Sequence, residues 1–154
     1  MIELRTPAEL ERMRTAGKFV ASVLEATAAA SAVGVNLLEL DRVAHDLIRK
    51  RGAESCYIDY HPSFGGSPFG KVICASVNDA ALHGLPFDYV LRDGDLVSLD
   101  FAASVDGWVS DSAISFIVGT PREEDLALIE VTSRALDAGI AAATVGNRMG
   151  DVSA

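Results

Sequence analysis

Asp100 and Asp111 stand on either side of Asp106-Gly107, a dipeptide that favours a two-residue hairpin turn. If the flanking arms pair about that turn, Val105 faces Trp108 and Ala102 faces Asp111. Asp100 lies two residues from Ala102 and so shares its face. The two carboxylates are then diagonal neighbours, with Cβ atoms roughly 7 Å apart or a little less. Carboxylates that reach into one small volume repel unless they are protonated or offset by cations. A pair of divalent ions about 3.5–4 Å apart satisfies that geometry, and oxygen ligands suit Mn and Co as well as Zn or Fe. The alternative is a wet hairpin face on which both aspartates are simply solvated. Asp93, Asp95 and Asp106 read as turn formers without chemistry.

One histidine precedes the hairpin. Asn78-Asp79-Ala80-Ala81-Leu82-His83-Gly84-Leu85-Pro86 holds His83 in a tight segment bounded by Gly and Pro. There it could hydrogen-bond a carbonyl oxygen near the metals or transfer a proton; alternatively it is a partly buried loop histidine bonded to backbone. His45 falls on the polar side of a predicted helix and is expected at the surface. His61 sits beside Tyr60 in a turn-rich loop, where a role in a pocket is open. Cys56 and Cys74 match no zinc-module spacing and make no disulfide framework. Cys74 has no base near it in sequence, so no nucleophilic Ser or Cys arrangement stands out.

The elements that must position these groups are legible from periodicity and caps. Thr6-Pro7-Ala8-Glu9 is a capped helix start, and Leu10, Met13, Ala16, Gly17, Val20, Val23 and Leu24 follow at helical spacing until Gly34. A second helix runs from Leu37 to Lys50, with Asn36 as cap and Gly52 as stop; Leu40, Val43, Leu47 and Ile48 form its buried face. Residues 55–70, with Pro62, Gly65, Gly66, Pro68 and Gly70, read as a loop. Strands are expected over Val72–Val77, Leu96–Val105 and Trp108 to about Val118.

With 154 residues, 49% of them apolar and 23% charged, the chain can bury a hydrophobic core and is not expected to be disordered. Thirteen basic against twenty-two acidic side chains give a net charge of -9, which weighs against a phosphate-binding face and makes nucleic acid an unexpected partner. The N-terminus has no apolar signal segment. The longest apolar run, Ala26 to Val33, is too short to span a bilayer, so no membrane association and a cytoplasmic location are expected.

The chain also repeats itself. Thr120-Pro121-Arg122-Glu123 has the pattern of the first capped start. Leu136-Asp137-Ala138, Val145-Gly146 and Asp151-Val152 match Leu24-Glu25-Ala26, Val33-Gly34 and Glu39-Leu40 at a common offset. Alanine-rich helices also resemble one another by chance; if the repeat is real, a second copy begins after Gly119 and is early in its second helix at Ala154.

Taken in order, these segments resemble type I methionine aminopeptidases. The resemblance rests on Thr6-Pro7…Met13-Arg14…Ala16-Gly17, Glu39-Leu40-Asp41, Cys74-Ala75-Ser76-Val77-Asn78…His83-Gly84-Leu85-Pro86, and Asp93-Gly94-Asp95-Leu96-Val97-Ser98-Leu99-Asp100…Asp106-Gly107-Trp108…Asp111…Phe116-Ile117-Val118-Gly119. It covers essentially the whole chain but little more than half of a typical member. It implies an α/β (α+β) pita-bread fold, an antiparallel sheet with helices on one face. Residues 1–119 would be the first half and 120–154 the start of a second, pseudo-symmetric half.

By the same resemblance, Asp100 and Asp111 are metal ligands, with Asp111 bridging two divalent ions (Co, Mn, Fe or Zn). His83 is the catalytic residue and contacts substrate, while Tyr60 and Cys74 line the methionine pocket. The implied activity is removal of the N-terminal methionine from nascent polypeptides, with the ribosome as a further partner. The family's remaining ligands, a His and two Glu, have no counterpart in this sequence, so the chain is expected to be partial and inactive alone. Two rivals are a noncatalytic pita-bread binding protein and a creatinase- or prolidase-like metallopeptidase. The short N-terminus favours the methionine-specific branch.

Overall fold

A computed structural model of the chain describes residues 3–63 and 66–154; Gly65 of the turn-rich stretch and Met1 and Ile2 of the N-terminus lie outside them. Two compact units result, Met1–Gly119 and Thr120–Ala154.

In the first unit, helix α1 (Pro7–Ala30) begins at the expected cap: Thr6 Oγ1 accepts the Glu9 N–H, and the Glu9 carboxylate accepts the Thr6 N–H. Its apolar face is shorter than the spacing suggests. Ala16, Val20, Val23 and Leu24 are buried, whereas Leu10 and Met13 in the first two turns are exposed. The helix also stops at Ala30, before Gly34, which instead turns with positive φ and donates its N–H to the Leu91 carbonyl. Helix α2 (Leu37–Arg51) has Asn36 accepting the Leu38 N–H at its start and Gly52 in the left-handed conformation at its end.

The sheet is built around one long strand. Strand β3 (Leu96–Val105) pairs along its whole length with β4 (Trp108–Ile117), antiparallel. Its other edge is shared by two short strands: β2 (Cys74–Val77) lies beside Val97–Asp100, and β1 (Glu54–Ser55) beside Ala103–Ser104. The register agrees with the hairpin arithmetic, Val105 opposite Trp108 and Ala102 opposite Asp111. Asp106 and Gly107 both have positive φ, as a two-residue turn with the right twist requires.

Alternation along β3 sorts the two faces. Val97, Leu99, Phe101 and Ala103 are buried in one core with Val20, Val23 and Leu24 of α1 and Leu37, Leu40, Ala44 and Ile48 of α2. Phe19 meets Phe101 edge-on at 6.4 Å. Each fully buried Leu, Val or Phe contributes about 1.5–3 kcal/mol over leaving it exposed, so this face anchors both helices. Ser98, Asp100 and Ala102 point the other way, away from the helices. Strand β2 starts two residues later than expected, because the Val72 and Ile73 N–H groups go to the Asp41 carboxylate rather than to a neighbouring strand.

The second unit holds helix α3 (Glu123–Ala142) and the single turn α4 (Met149–Val152). The N-cap of α3 is Arg122, not Thr120, and Arg122 makes no side-chain cap bond; its guanidinium instead pairs with Asp125 at 2.7 and 3.0 Å. The helix ends Ala30 and Ala142, and the helix starts Leu37 and Met149, each lie 112 residues apart, the offset of the sequence repeat. No helix among the described residues is long and apolar enough to cross a membrane.

Candidate metal centre

Asp100 on β3 and Asp111 on β4 share the sheet face opposite the helices, a consequence of the register that sets Ala102 against Asp111. A third group joins them. The chain leaves β1 at Ser55, whose Oγ accepts the N–H groups of Tyr57 and Ile58, and the Cys56 N–H reaches the Ala102 carbonyl at 3.3 Å. Those bonds bring the next side chain over the hairpin. The Tyr57 hydroxyl lies 2.7 Å from Asp100 Oδ1 and 3.2 Å from Asp111 Oδ1. The Phe69 ring meets Tyr57 edge-on at 5.9 Å.

Sequence reasoning passed over Tyr57 and chose Tyr60, three residues on. Nothing local distinguishes two tyrosines in one loop; the Ser55 bonds decide which of them turns inward. Tyr60 also lines the cavity, but its side chain is largely exposed.

Tyr60, Cys74, His83, Asp100 and Asp111 all border one cavity of about 610 Å³, within the usual range for small-molecule sites. His61 is not among its walls: it is exposed, with Nδ1 3.1 Å from the Asp59 carbonyl oxygen. His45 is half-buried on α2 rather than fully at the surface.

His83 is held in the left-handed region (φ 57°) by its neighbour. Gly84 donates its N–H to Ser76 Oγ at 3.1 Å and accepts the Ala75 N–H at 2.7 Å. A Cβ on Gly84 would fall against the Ala75 carbonyl oxygen and 2.8 Å from Ser76 Cα, so only glycine lets the segment lie this close to β2.

At the other end of that segment, Asp95 departs from its expected role. It does close the turn after Arg92, but its carboxylate is buried and accepts from Asn78 Nδ2, the Tyr89 hydroxyl and the Arg92 N–H at 2.8–2.9 Å. Burial opposes the charge of Asp95. The Arg92 N–H, with the Asn78 and Tyr89 bonds, outweighs that and holds the carboxyl below its ordinary range. Asn78 in turn accepts the Leu96 N–H, so the segment that carries His83 is tied to the start of β3.

The electrostatics favour a cation here. Burial, and then the neighbouring charge of Asp100, push the Asp111 carboxyl above its ordinary range. Burial, then the Asp100 and Asp111 charges, push the Cys74 thiol up to about 12. Cys56 moves the same way, by burial and then the charge of Asp111. Both cysteines are therefore thiols at neutral pH, which removes them as nucleophiles. Burial and a hydrogen bond to Asp100 push the Tyr57 phenol far up as well, so it remains a donor.

Two acidic side chains converge on one neutral hydroxyl, and an oxygen-donor set of this kind fits a divalent ion. It is only part of a set. Among the described residues no group of three or more His, Cys, Asp or Glu side chains comes together to hold a metal.

Comparison with known proteins points the same way. The chain is 46% identical over 154 residues to methionine aminopeptidase 1 of Mycobacterium tuberculosis, covering 99% of this chain and 56% of that protein. It therefore spans little more than half the length of this relative. The crystal structure of methionine aminopeptidase from Thermotoga maritima superposes with a TM-score of 0.88 at 32% identity, over 99% of this chain and 59% of that one. Prolidase from Pyrococcus furiosus, at 20% identity and a TM-score of 0.72 over 89% of this chain and 37% of its own, shares the fold alone. That fold is the pita-bread α/β arrangement. Residues 11–154 match the profile of metallopeptidase family M24, and to that family the chain belongs.

Proposed function

We propose that this chain supplies the first metal ligands and the substrate-facing histidine of a metalloexopeptidase that removes N-terminal methionine from nascent polypeptides. The observation that carries it is the placement of Asp100 and Asp111 side by side on the helix-free face of β3 and β4, in one cavity with His83. Asp100 and Asp111 would hold two divalent ions of the Co, Mn, Fe or Zn group. Bound ions of this kind polarise a carbonyl oxygen and lower the pKa of water.

The chain's own residues do the rest. His83, fixed by the Gly84 and Ser76 contact, donates a hydrogen bond to the scissile carbonyl as charge develops on it. Cys74, a neutral thiol in the cavity wall, and the ring of Tyr60 offer soft and aromatic surface to a methionine side chain. Two carboxylates are too few to hold two dications, so the other ligands are assigned to polypeptide outside these 154 residues. A cytoplasmic setting and passage of substrate from the ribosome belong to the same proposal.

The similarity to methionine aminopeptidases, which far exceeds that to prolidase, favours methionine over an X-Pro substrate. Joining residues 1–154 to the remaining part of the Mycobacterium tuberculosis relative provides the test. The chimera is expected to release methionine from a Met-Ala-Ser tripeptide with Mn or Co present, and D100N or D111N to abolish release. A folded, metal-loaded chimera that cleaves only X-Pro peptides would overturn the assignment. The 154-residue chain alone is expected to show no turnover.

A further inference from the structure

The metal reading gives Asp100 and Asp111 a role but leaves Tyr57 without one. Its hydroxyl contacts both carboxylates, at 2.7 and 3.2 Å, from a loop 43 and 54 residues away in sequence. A tyrosine has one hydroxyl hydrogen, and here it serves two acceptors on two strands. Each carboxylate carries about four acceptor sites, so a bond from Tyr57 to one oxygen leaves the others open to a cation.

The loop that supplies Tyr57 is braced on both sides. Ser55 Oγ accepts the Tyr57 and Ile58 N–H groups. The Phe69 N–H goes to the Tyr60 carbonyl and the Gly70 N–H to the Ile58 carbonyl, both at 3.0 Å. The Phe69 ring packs edge-on against Tyr57. A side chain held this firmly limits the rotation of the groups it bonds.

We infer that Tyr57 is a positioning residue of the metal centre: its hydroxyl fixes the Asp100 and Asp111 carboxylates in a shared, converging orientation and thereby raises their affinity for divalent cations. The inference rests on the metal assignment for the two aspartates. Outer partners of metal ligands typically change affinity about 10–100-fold when removed, and Tyr57 serves two ligands at once. The opposite role, in which the hydroxyl competes with the cation for the same oxygens, predicts the opposite sign.

Mn(II) binding to the chimera that joins residues 1–154 to the remaining part of the Mycobacterium tuberculosis relative, read from the free-ion signal in electron paramagnetic resonance, distinguishes these cases. Wild type, Tyr57→Phe and Asp111→Asn are compared after circular dichroism shows equal helix content. Tyr57→Phe removes a single oxygen from a loop that keeps its other contacts, and its fold is expected to persist. The expected result is measurable wild-type binding, a loss of about tenfold or more in Tyr57→Phe, and near-complete loss in Asp111→Asn.

The Co(II) absorption spectrum supplies a readout that a general loss of stability would not move: its visible bands should shift in Tyr57→Phe at saturating metal. Equal or tighter Mn(II) binding by Tyr57→Phe, with Asp111→Asn still impaired, overturns the inference and leaves the metal assignment standing. Absence of binding by the chimera carrying the wild-type residues, or binding that ignores Asp111→Asn, overturns both.

Discussion

Asp41, on helix α2, accepts the Val72 N–H at 2.9 Å across 31 residues of sequence, and the same oxygen accepts the Ile73 N–H at 3.4 Å. Its other oxygen lies 3.8 Å from Lys71 Nζ. The carboxylate thus stands in for a missing strand and ties α2 to the approach of β2, which carries Cys74 into the cavity.

Removing that carboxylate leaves two N–H groups unpaired beside buried Val72 and Ile73. Asp41→Ala is expected to cost about 2 kcal/mol and Asp41→Asn about 1 kcal/mol, since the amide oxygen still accepts. Urea unfolding measures both. Alanine and wild type unfolding at the same urea concentration would show that these bonds contribute nothing.

Gly84→Ala forces a methyl group against the backbone of Ala75 and Ser76, which cannot yield as a flexible side chain would. A loss of about 1–3 kcal/mol is expected, read as a lower Tm. His83 should move with it, seen as a change in its imidazole NMR signals. Unchanged stability and unchanged His83 signals would mean that the close approach is not required.

Asp95 supplies an acid-sensitive contribution. Its folded-state pKa is depressed, so the stability it contributes is fully present above its unfolded value of about 3.9 and is lost as pH falls through the lower, folded value. Asp95→Asn should therefore be less stable than wild type at pH 7, by about 2 kcal/mol. The gap should close as pH is lowered below about 4. A gap that stays constant down to pH 2 would contradict this origin.

Asp111 has the opposite sign. Its folded-state pKa is raised, by burial and then by the charge of Asp100, so ionisation of the metal-free protein opposes folding as pH rises through that value. Asp111→Asn should raise the stability of the metal-free chain at neutral pH, with the difference shrinking toward acid. Thermal melts in chelator across pH 3–8 provide the check, and an Asp111→Asn chain less stable than wild type at pH 7 would refute it.

Much of this arrangement was readable in advance because it depends on neighbours in sequence. The Thr6 and Asn36 caps, the Gly52 stop and the Asp106-Gly107 turn are local signals, and the turn alone sets the register of Asp100 and Asp111. What escaped depends on distant packing. Tyr57 and Tyr60 are equivalent in sequence until Ser55 folds the loop. Asp41 replaces a ladder that periodicity had extended back to Val72, and Asp95 has the spacing of a turn former while its carboxylate is buried by Asn78 and Tyr89. Leu10 and Met13 have helical spacing but emerge exposed, because spacing assigns a face and not what covers it. His83 borders the cavity and His61 does not, a distinction between two loop histidines that the sequence left open.

The paired backbone bonds at Ile58–Gly70 and Tyr60–Phe69 have a practical consequence. They join the chain on the two sides of the excursion at its base, next to the side chain that bonds the acid pair. Under the proposed function, substrate preference and cation handling would be separable by mutation: grafting a different tip from a homologue is expected to retune what enters while leaving the inner chemistry where it is.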